Sequence, residues 1–426
     1  MMERTEDGMI EPNPRTPGPG EAATALRGLD KLRTIRGGSF GVAIAPMRAA
    51  LSGLLALAVA IGIGRFVYTP ILPPMMAELG LSAFAAGLIA SANFAGYLAG
   101  ALFAASPWLP GSRHAWLLGG LAGSAVTTGA MAFARALPAF LALRFAGGVA
   151  SALVLILSSA LVLDHLAAAG RLDLSAVLFA GVGAGIAGSA LLVSWLRALG
   201  GGWQMLWLAS GALSMAAALA AAALSPTTPP HGPAAPLPRP AEHPAAASAL
   251  QARGLGRVVA AYGLFGFGYV ITATFLVAIV RATPAIRPLE PLVWIVVGLA
   301  VVPSVALWTA LGRRIGLSRA YAFAALVEAL GVLASVAWPT TAGVFAASLL
   351  VGGTFMGLVA LGLMHGRDLA RGDARRVMAL MTVAFSVGQI VGPTFAGALS
   401  ERFGGFTVPS AVAAAALVLC AMLTAA

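Results

Sequence analysis

The sequence predicts an all-α membrane protein, with twelve transmembrane helices arranged as two pseudo-symmetric bundles of six. Three observations carry that reading. Of the 426 residues, 59% are hydrophobic and only 10% charged, with a mean hydropathy of +0.91. That leaves too little polar surface to keep a folded chain of this size dissolved. Apolar runs of about 20 residues, long enough to cross roughly 30 Å of hydrocarbon, recur along almost the whole length. One proline-dense stretch, PTTPPHGPAAPLPRPAEHPAAASALQAR, divides those runs evenly.

In chain order, residues 1–47 are polar and proline-bearing and read as a disordered cytoplasmic tail, lacking the apolar surface to fold. No short apolar core follows a basic start there, so a signal peptide is not expected. Residues 48–225 form the first bundle, with spans expected at 49–72, 82–105, 114–134, 138–161, 174–196 and 203–224. Residues 226–253 are a cytoplasmic linker, kept from helix through the proline-dense part. Residues 254–426 form the second bundle, with spans at 255–280, 291–311, 318–338, 341–364, 377–399 and 405–425. The 52 glycines suit helices that approach closely in lipid.

The net charge of +11 is scattered through short loops, a pattern that reports orientation rather than nucleic-acid binding. Nineteen of the 26 basic residues fall on the side of the termini and five on the other. Both termini are therefore predicted to be cytoplasmic, in a multi-pass protein of the cell membrane. Arg65 and Arg144 belong to no loop and lie inside spans. Cys420 is the only cysteine, and the five histidines are far apart, so neither a disulfide nor a metal site is expected. No cofactor is expected either. The chain has no G-x-x-x-x-G-K-[ST] loop for ATP, and no nucleophile–base pair at membrane depth to suggest an enzyme.

The halves are related to each other. GIGRFVYT at 62–69 aligns with GFGYVITA at 266–273 at an offset of 204, which pairs Gly62 with Gly266 and Gly64 with Gly268. The same offset pairs Gly148 with Gly352 and Gly188 with Gly392. An even number of spans per half gives parallel repeats about an axis along the membrane normal.

RFAGGVASA at 144–152 opens the fourth span and resembles the R-x-x-x-G signature of the major facilitator superfamily. GVGAGIAG at 181–188 resembles the Gly-x-x-x-Gly pattern of its fifth helix, with Ile186 where a proline is usual. GIGRFVYTPILPPM, NFAGYLAGAL, YGLFGFGYVITATFL and GQIVGP are similar to the YbfB/YjiJ-type branch of that superfamily. The resemblance covers the chain after residue 48 and implies the major facilitator fold and solute transport. It also implies a coupling or packing role for Arg144. One departure stands out: the loop after the second span, where the superfamily carries an aspartate and basic residues, is GALFAASPWLPGSRHAW, without an acid. GAGIAG at 183–188 also fits a dinucleotide fingerprint, but it lies in an apolar helix with no acid before Glu242. Close helix packing explains it better.

An arginine in hydrocarbon costs about 2.5 kcal/mol or more, so Arg65 and Arg144 should face a cavity or a partner. Helical spacing puts Tyr68 on the face of Arg65, and Asn93 on the face of Tyr97. Tyr269 takes the repeat position of Arg65, and Gln389 sits beside Pro393. These seven residues, Arg65, Tyr68, Asn93, Tyr97, Arg144, Tyr269 and Gln389, form the predicted substrate site. For the five polar and aromatic residues the alternative is an ordinary interhelical hydrogen bond; for Arg65 it is snorkelling to the outer headgroups or capping of backbone carbonyls, and for Arg144 a structural or relay role. Glu328 is the only carboxylate well inside a span and is the candidate for proton coupling. Gly181, Gly185, Gly188, Gly388, Gly392 and Pro393 are expected to serve packing and gating, with breaks at Pro70, Pro73 and Pro393.

Cations in the first half and neutral polar groups in the second suggest a solute with an anionic end. The expected activity is secondary active transport of such a solute by alternating access, coupled to protons, by a monomer. A broad drug or metabolite exporter is the alternative within transport, and a non-transporting sensor or scaffold is the alternative outside it.

Overall fold

In the computed structural model, the described residues are 45–106, 111–225, 245–370 and 374–425. Among them, twelve helices are long and apolar enough to cross a membrane. They are α1 (Ala45–Leu79), α2 (Ala83–Ala104), α3 (Arg113–Phe133), α4 (Leu137–Ala168), α5 (Leu172–Ala198), α6 (Trp203–Leu224), α7 (Gly254–Ala282), α8 (Arg287–Ile315), α9 (Leu317–Ala337), α10 (Thr341–Leu369), α11 (Arg376–Phe403) and α12 (Thr407–Ala425). Each coincides with an expected span. Several run longer, because a helix can continue past the hydrocarbon where nothing breaks it.

The segment expected as linker shows this most clearly. Residues 226–244 lie outside the described residues, but the helix that contains α7 starts at Ala245. AAASALQAR follows the last proline and is built from strong helix formers, so helix resumes before the membrane does. The expected tail lies outside the described residues up to residue 44, and Ala45–Met47 are already helical. Short turns reverse the chain between spans. Gly80 ends α1 in the left-handed region, at φ 63°, where a side chain would be strained.

The packing repeats. In the first half α2 lies on α4, α4 on α3, α3 on α6, and α5 on the middle of α1. In the second half α8 lies on α10, α10 on α9, α9 on α12, and α11 on α7. The halves meet along two seams, α2 with α11 and α5 with α8, which are one contact made twice about the pseudo-axis. Small residues allow the close approach: a Cβ on Gly183 would lie 2.6 Å from the Gly298 carbonyl oxygen, and Gly87 faces the Pro393 carbonyl in the same way. Thr69 donates to the carbonyl of Ala273 at 2.6 Å. Those residues are 204 apart, the repeat offset, and equivalent residues that touch must lie beside the axis relating them.

The two faces of the protein differ. Ser52 bonds Ala221 O at 2.8 Å, and Ser318 bonds Thr424 O, which ties together helix ends at the face carrying the termini. The hydrogen bonds that join the halves among the described residues lie toward the opposite, far face. They include Thr69 to Ala273 O, Trp294 to Phe66 O (3.1 Å), Ser91 with Thr394 (2.8 Å), Ser194 to Pro291 O (2.8 Å) and the Phe84 amide to Glu401 (2.7 Å). No extended seam joins α4 to α10. The structure is sealed on the far side.

Candidate functional site

The site begins with a fault in α1. Residues Ala58–Ile63 wind as a π-helix, and the Gly64 amide reaches five residues back to Val59 O at 2.8 Å. A turn follows, and regular helix restarts at Tyr68. Pro70 has no N–H for the Phe66 carbonyl, and the Thr69 amide turns to Phe66 O at 3.2 Å instead of to Arg65 O. The carbonyls of Gly64 and Arg65 thus lose their helical donors inside a membrane, where an unpaired backbone group is expensive.

Arg144 replaces those donors. From α4, its Nη1 donates to Gly64 O at 2.9 Å and its Nη2 to Arg65 O at 3.1 Å. The guanidinium also lies 5.0 Å from the Tyr68 ring centroid. Across the break, the Trp294 indole from the second half supplies Phe66 O with the proton that Pro70 lacks. Pro70 marks a real break. Pro73 and Pro393, expected to be breaks, sit inside continuous helices instead.

Arg65 is in a different condition. It is only 6% exposed, yet its Nε and Nη2 have no hydrogen-bond partner. Its guanidinium lies 4.2 Å from the Tyr97 ring centroid and 5.2 Å from that of Phe94, both on α2. Among the described residues no carboxylate pairs with it; the two ion pairs are Arg171–Asp173 and Arg281–Glu290. Aromatic faces stabilise a cation by about 2 kcal/mol when water is excluded, and the Tyr97 hydroxyl is within hydrogen-bonding reach of the guanidinium, but Nε and Nη2 stay unused.

The break reorders the first-half residues. Tyr68, expected on the face of Arg65, is turned away from it, because four residues of turn separate regular helix from helix. Its hydroxyl donates to Ala86 O at 2.8 Å, and its ring packs against Trp207 at 6.3 Å. Asn93 is fully buried and donates to Arg144 O at 2.9 Å, an interhelical bond between α2 and α4. Tyr97 and Phe94 are the first-half aromatics that meet Arg65, Tyr97 the nearer.

In the second half, Gln389 and Tyr269 bond each other. The Tyr269 ring stacks on Phe355 at 5.5 Å and on Phe385 at 5.8 Å. Phe355 also meets Phe66 edge-on at 5.7 Å, which carries the aromatic cluster across to the first half. Arg65 and Tyr269 are within electrostatic reach of each other, as are Glu328 and Tyr269. Glu328 on α9 is fully buried, and neither carboxyl oxygen has a partner. Its polar neighbours are Tyr269 from α7, Tyr321 from its own helix and Cys420 from α12.

The glycines divide. Gly181 and Gly185 lie against the α1 backbone at Leu54 and Ala58, and Gly388 and Gly392 against α7 at Gly263 and Phe267. Gly188, expected to pack, is exposed, and a Cβ there would meet open space. It falls on the lipid side of α5, three residues beyond Gly185. Sequence reasoning missed Trp294, Phe66 and Phe355. Pro70 signals that Phe66 O needs a donor, but nothing local says that the donor comes from 228 residues away.

Residues 57–425 match the family described as "Uncharacterised MFS-type transporter YbfB". The chain belongs to this family. Among solved structures, the nucleoside transporter NupG is similar at a TM-score of 0.65 and 16% identity, covering 89% of this chain and 98% of that one. A mutant of NupG gives 0.67 at the same identity and coverage. A bacterial homologue of the human lysosomal transporter Spinster, in an inward-facing and unoccupied conformation, gives 0.60 at 15% identity, over 90% and 95% of the two chains. No curated protein sequence matches significantly. The major facilitator fold and membership of a transporter family follow, and with them a multi-pass membrane protein that handles a small solute. Among the described residues, no group of histidine, cysteine and carboxylate side chains could hold a metal ion.

Proposed function

We propose that this protein is a secondary active transporter for a small organic solute with an anionic group, and that Arg65 is the ligand for that group. One observation carries the proposal: a guanidinium 6% exposed, with two nitrogens unpartnered and no counter-ion, on a helix break between the halves. A buried charge left in this state is strongly unfavourable unless something else completes it. A carboxylate or similar anion would use the free donors in forked geometry. The rings of Tyr97, Phe66, Phe355 and Tyr269 would bound the rest of the solute, with Gln389 offering a polar contact from the second half. Arg144 is not a solute ligand in this account, because its terminal nitrogens are held by Gly64 and Arg65. Nor does Tyr68 touch solute.

Glu328 would carry the coupling proton. Its carboxyl is fully buried and neither oxygen has a hydrogen-bond partner, so it could take up or release a proton only when the halves part and water reaches it. The termini would be cytoplasmic, so the far side sealed in this structure is the external one, and the protein would act as a monomer.

The test is flux into liposomes for a panel of carboxylates, zwitterions and lipophilic cations, with and without a pH gradient. Carboxylate uptake should be accelerated by an inward proton gradient. Glu328→Gln should still exchange solute across the membrane but lose the acceleration. Uptake of cations, indifferent to the gradient, would overturn both assignments and favour the exporter reading.

A further inference from the structure

Three of the five basic residues on the far face come together although the sequence separates them. A cavity of about 550 Å³ opens between the halves there, lined by Pro70, Ser194, Arg197, Arg281, Arg287 and Glu290 among others. Arg197 ends α5 of the first half, while the other charged groups stand at the end of α7 and the start of α8. Their charges do not cancel. Arg281 pairs with Glu290 at 3.3 Å, which leaves Arg197 and Arg287 in excess. Arg197 spends one Nη on Gly201 O at 2.9 Å, and Arg287 spends its Nε on Arg281 O at 2.9 Å. Their other guanidinium nitrogens have no partner among the described residues. Two arginines without an ion-pair partner, from opposite halves, thus share one concave site, an arrangement that focuses positive potential.

The cavity also lies on a path. Its floor includes Pro70, and just beneath are the bonds that seal the halves, Thr69 to Ala273 O and Trp294 to Phe66 O. Arg65 is one residue beyond Phe66. Ser194, in the wall, bonds Pro291 of the opposite half. If the halves part at this seam, the cavity becomes the mouth of the route to Arg65.

We propose that this cavity is a recruiting site for small organic anions, in which Arg197 and Arg287 hold the solute's negative group before it passes to Arg65. The assignment rests on the reading of Arg65 as the anion ligand, and it adds a second, outer station. The site raises the local concentration of anions and repels cations, an effect that salt weakens over a Debye length of about 8–10 Å.

The test needs no knowledge of the natural solute. Cys420 is the only cysteine and is buried, so a cysteine placed in the cavity reports alone. Ala198→Cys would be reacted in detergent with methanethiosulfonate ethylsulfonate (anionic) and methanethiosulfonate ethyltrimethylammonium (cationic). Ala342→Cys, exposed at the far end of α10 with no basic neighbour in sequence, would be the control. The ratio of anionic to cationic rates should be about fivefold or more higher at 198 than at 342 in low salt. It should fall to the control value in Arg197→Gln/Arg287→Gln. It should not change in Arg65→Gln, so failure here and failure of the central site are told apart. Equal ratios at the two positions, or a ratio indifferent to the paired substitution, would overturn the proposal.

Discussion

Arg65 and Arg144 are both arginines, both buried at the same depth, and joined through the backbone of Arg65 itself. They differ in what their nitrogens do. Arg144 is 4% exposed and its two terminal nitrogens bond two carbonyls that a broken helix left without donors, with only Nε unpartnered. Arg65 is 6% exposed and bonds nothing with its Nε and Nη2. Burial and residue type are the same at both positions; the hydrogen bonds are what differ. The two adjoin, since Arg144 holds the carbonyl of Arg65 at the break from which the Arg65 guanidinium meets Tyr97.

The contrast is sharpest in stability. Arg144→Ala would leave two buried carbonyls unpaired, at about 1–3 kcal/mol each. It should lower the melting temperature in detergent by the largest margin of any single substitution here, with most of the protein lost to aggregation on size-exclusion chromatography. Arg144→Lys should recover part of that loss, because an ammonium can reach one carbonyl but not fork to two. Arg65→Gln should do the opposite: the melting temperature should be unchanged or raised, by about 1 kcal/mol of stability, since a buried charge without a counter-ion is removed. If Arg65→Gln unfolds the protein as Arg144→Ala does, the distinction between the two fails. Trp294→Phe should have the smallest effect, about 1 kcal/mol, by taking one donor from Phe66 O. That loss falls on the far-side seal rather than on the fold. It would be read as faster labelling of a cysteine at Ala273 by a membrane-impermeant reagent, with little change in melting.

Much of this fold was legible because a membrane span is a composition signal that needs no partner. All twelve spans follow from apolar length, and the repeat offset of 204 returns as the contact between Thr69 and Ala273. The site was legible by residue more than by geometry. Arg65, Tyr97, Tyr269 and Gln389 stand around the junction of the halves. Tyr68 and Asn93, placed with them by ideal helical spacing, serve Ala86 and Arg144 instead. For Tyr68 the reason is that helical spacing holds only where the helix is regular, and α1 is irregular from Ala58 to Val67; Asn93 is on regular helix and is taken up by a neighbour, the Arg144 carbonyl. Gly188 shows the same limit. Glycine content marks close packing in general, but which glycine faces a neighbour depends on the rotation of α5. Gly185→Ala would put a Cβ 2.5 Å from the Ala58 carbonyl oxygen, whereas Gly188→Ala would meet nothing.

The central claim is that Arg65 is held free for an anion. It is tested most directly by solute-induced charge movement, recorded from protein reconstituted on a supported membrane and challenged with organic anions, zwitterions and lipophilic cations. Anions should give signals, reduced at least a hundredfold in affinity or abolished in Arg65→Gln, which still folds. Anion signals that survive Arg65→Gln, or signals for cations alone, would contradict it and return Arg65 to a structural role beside Arg144.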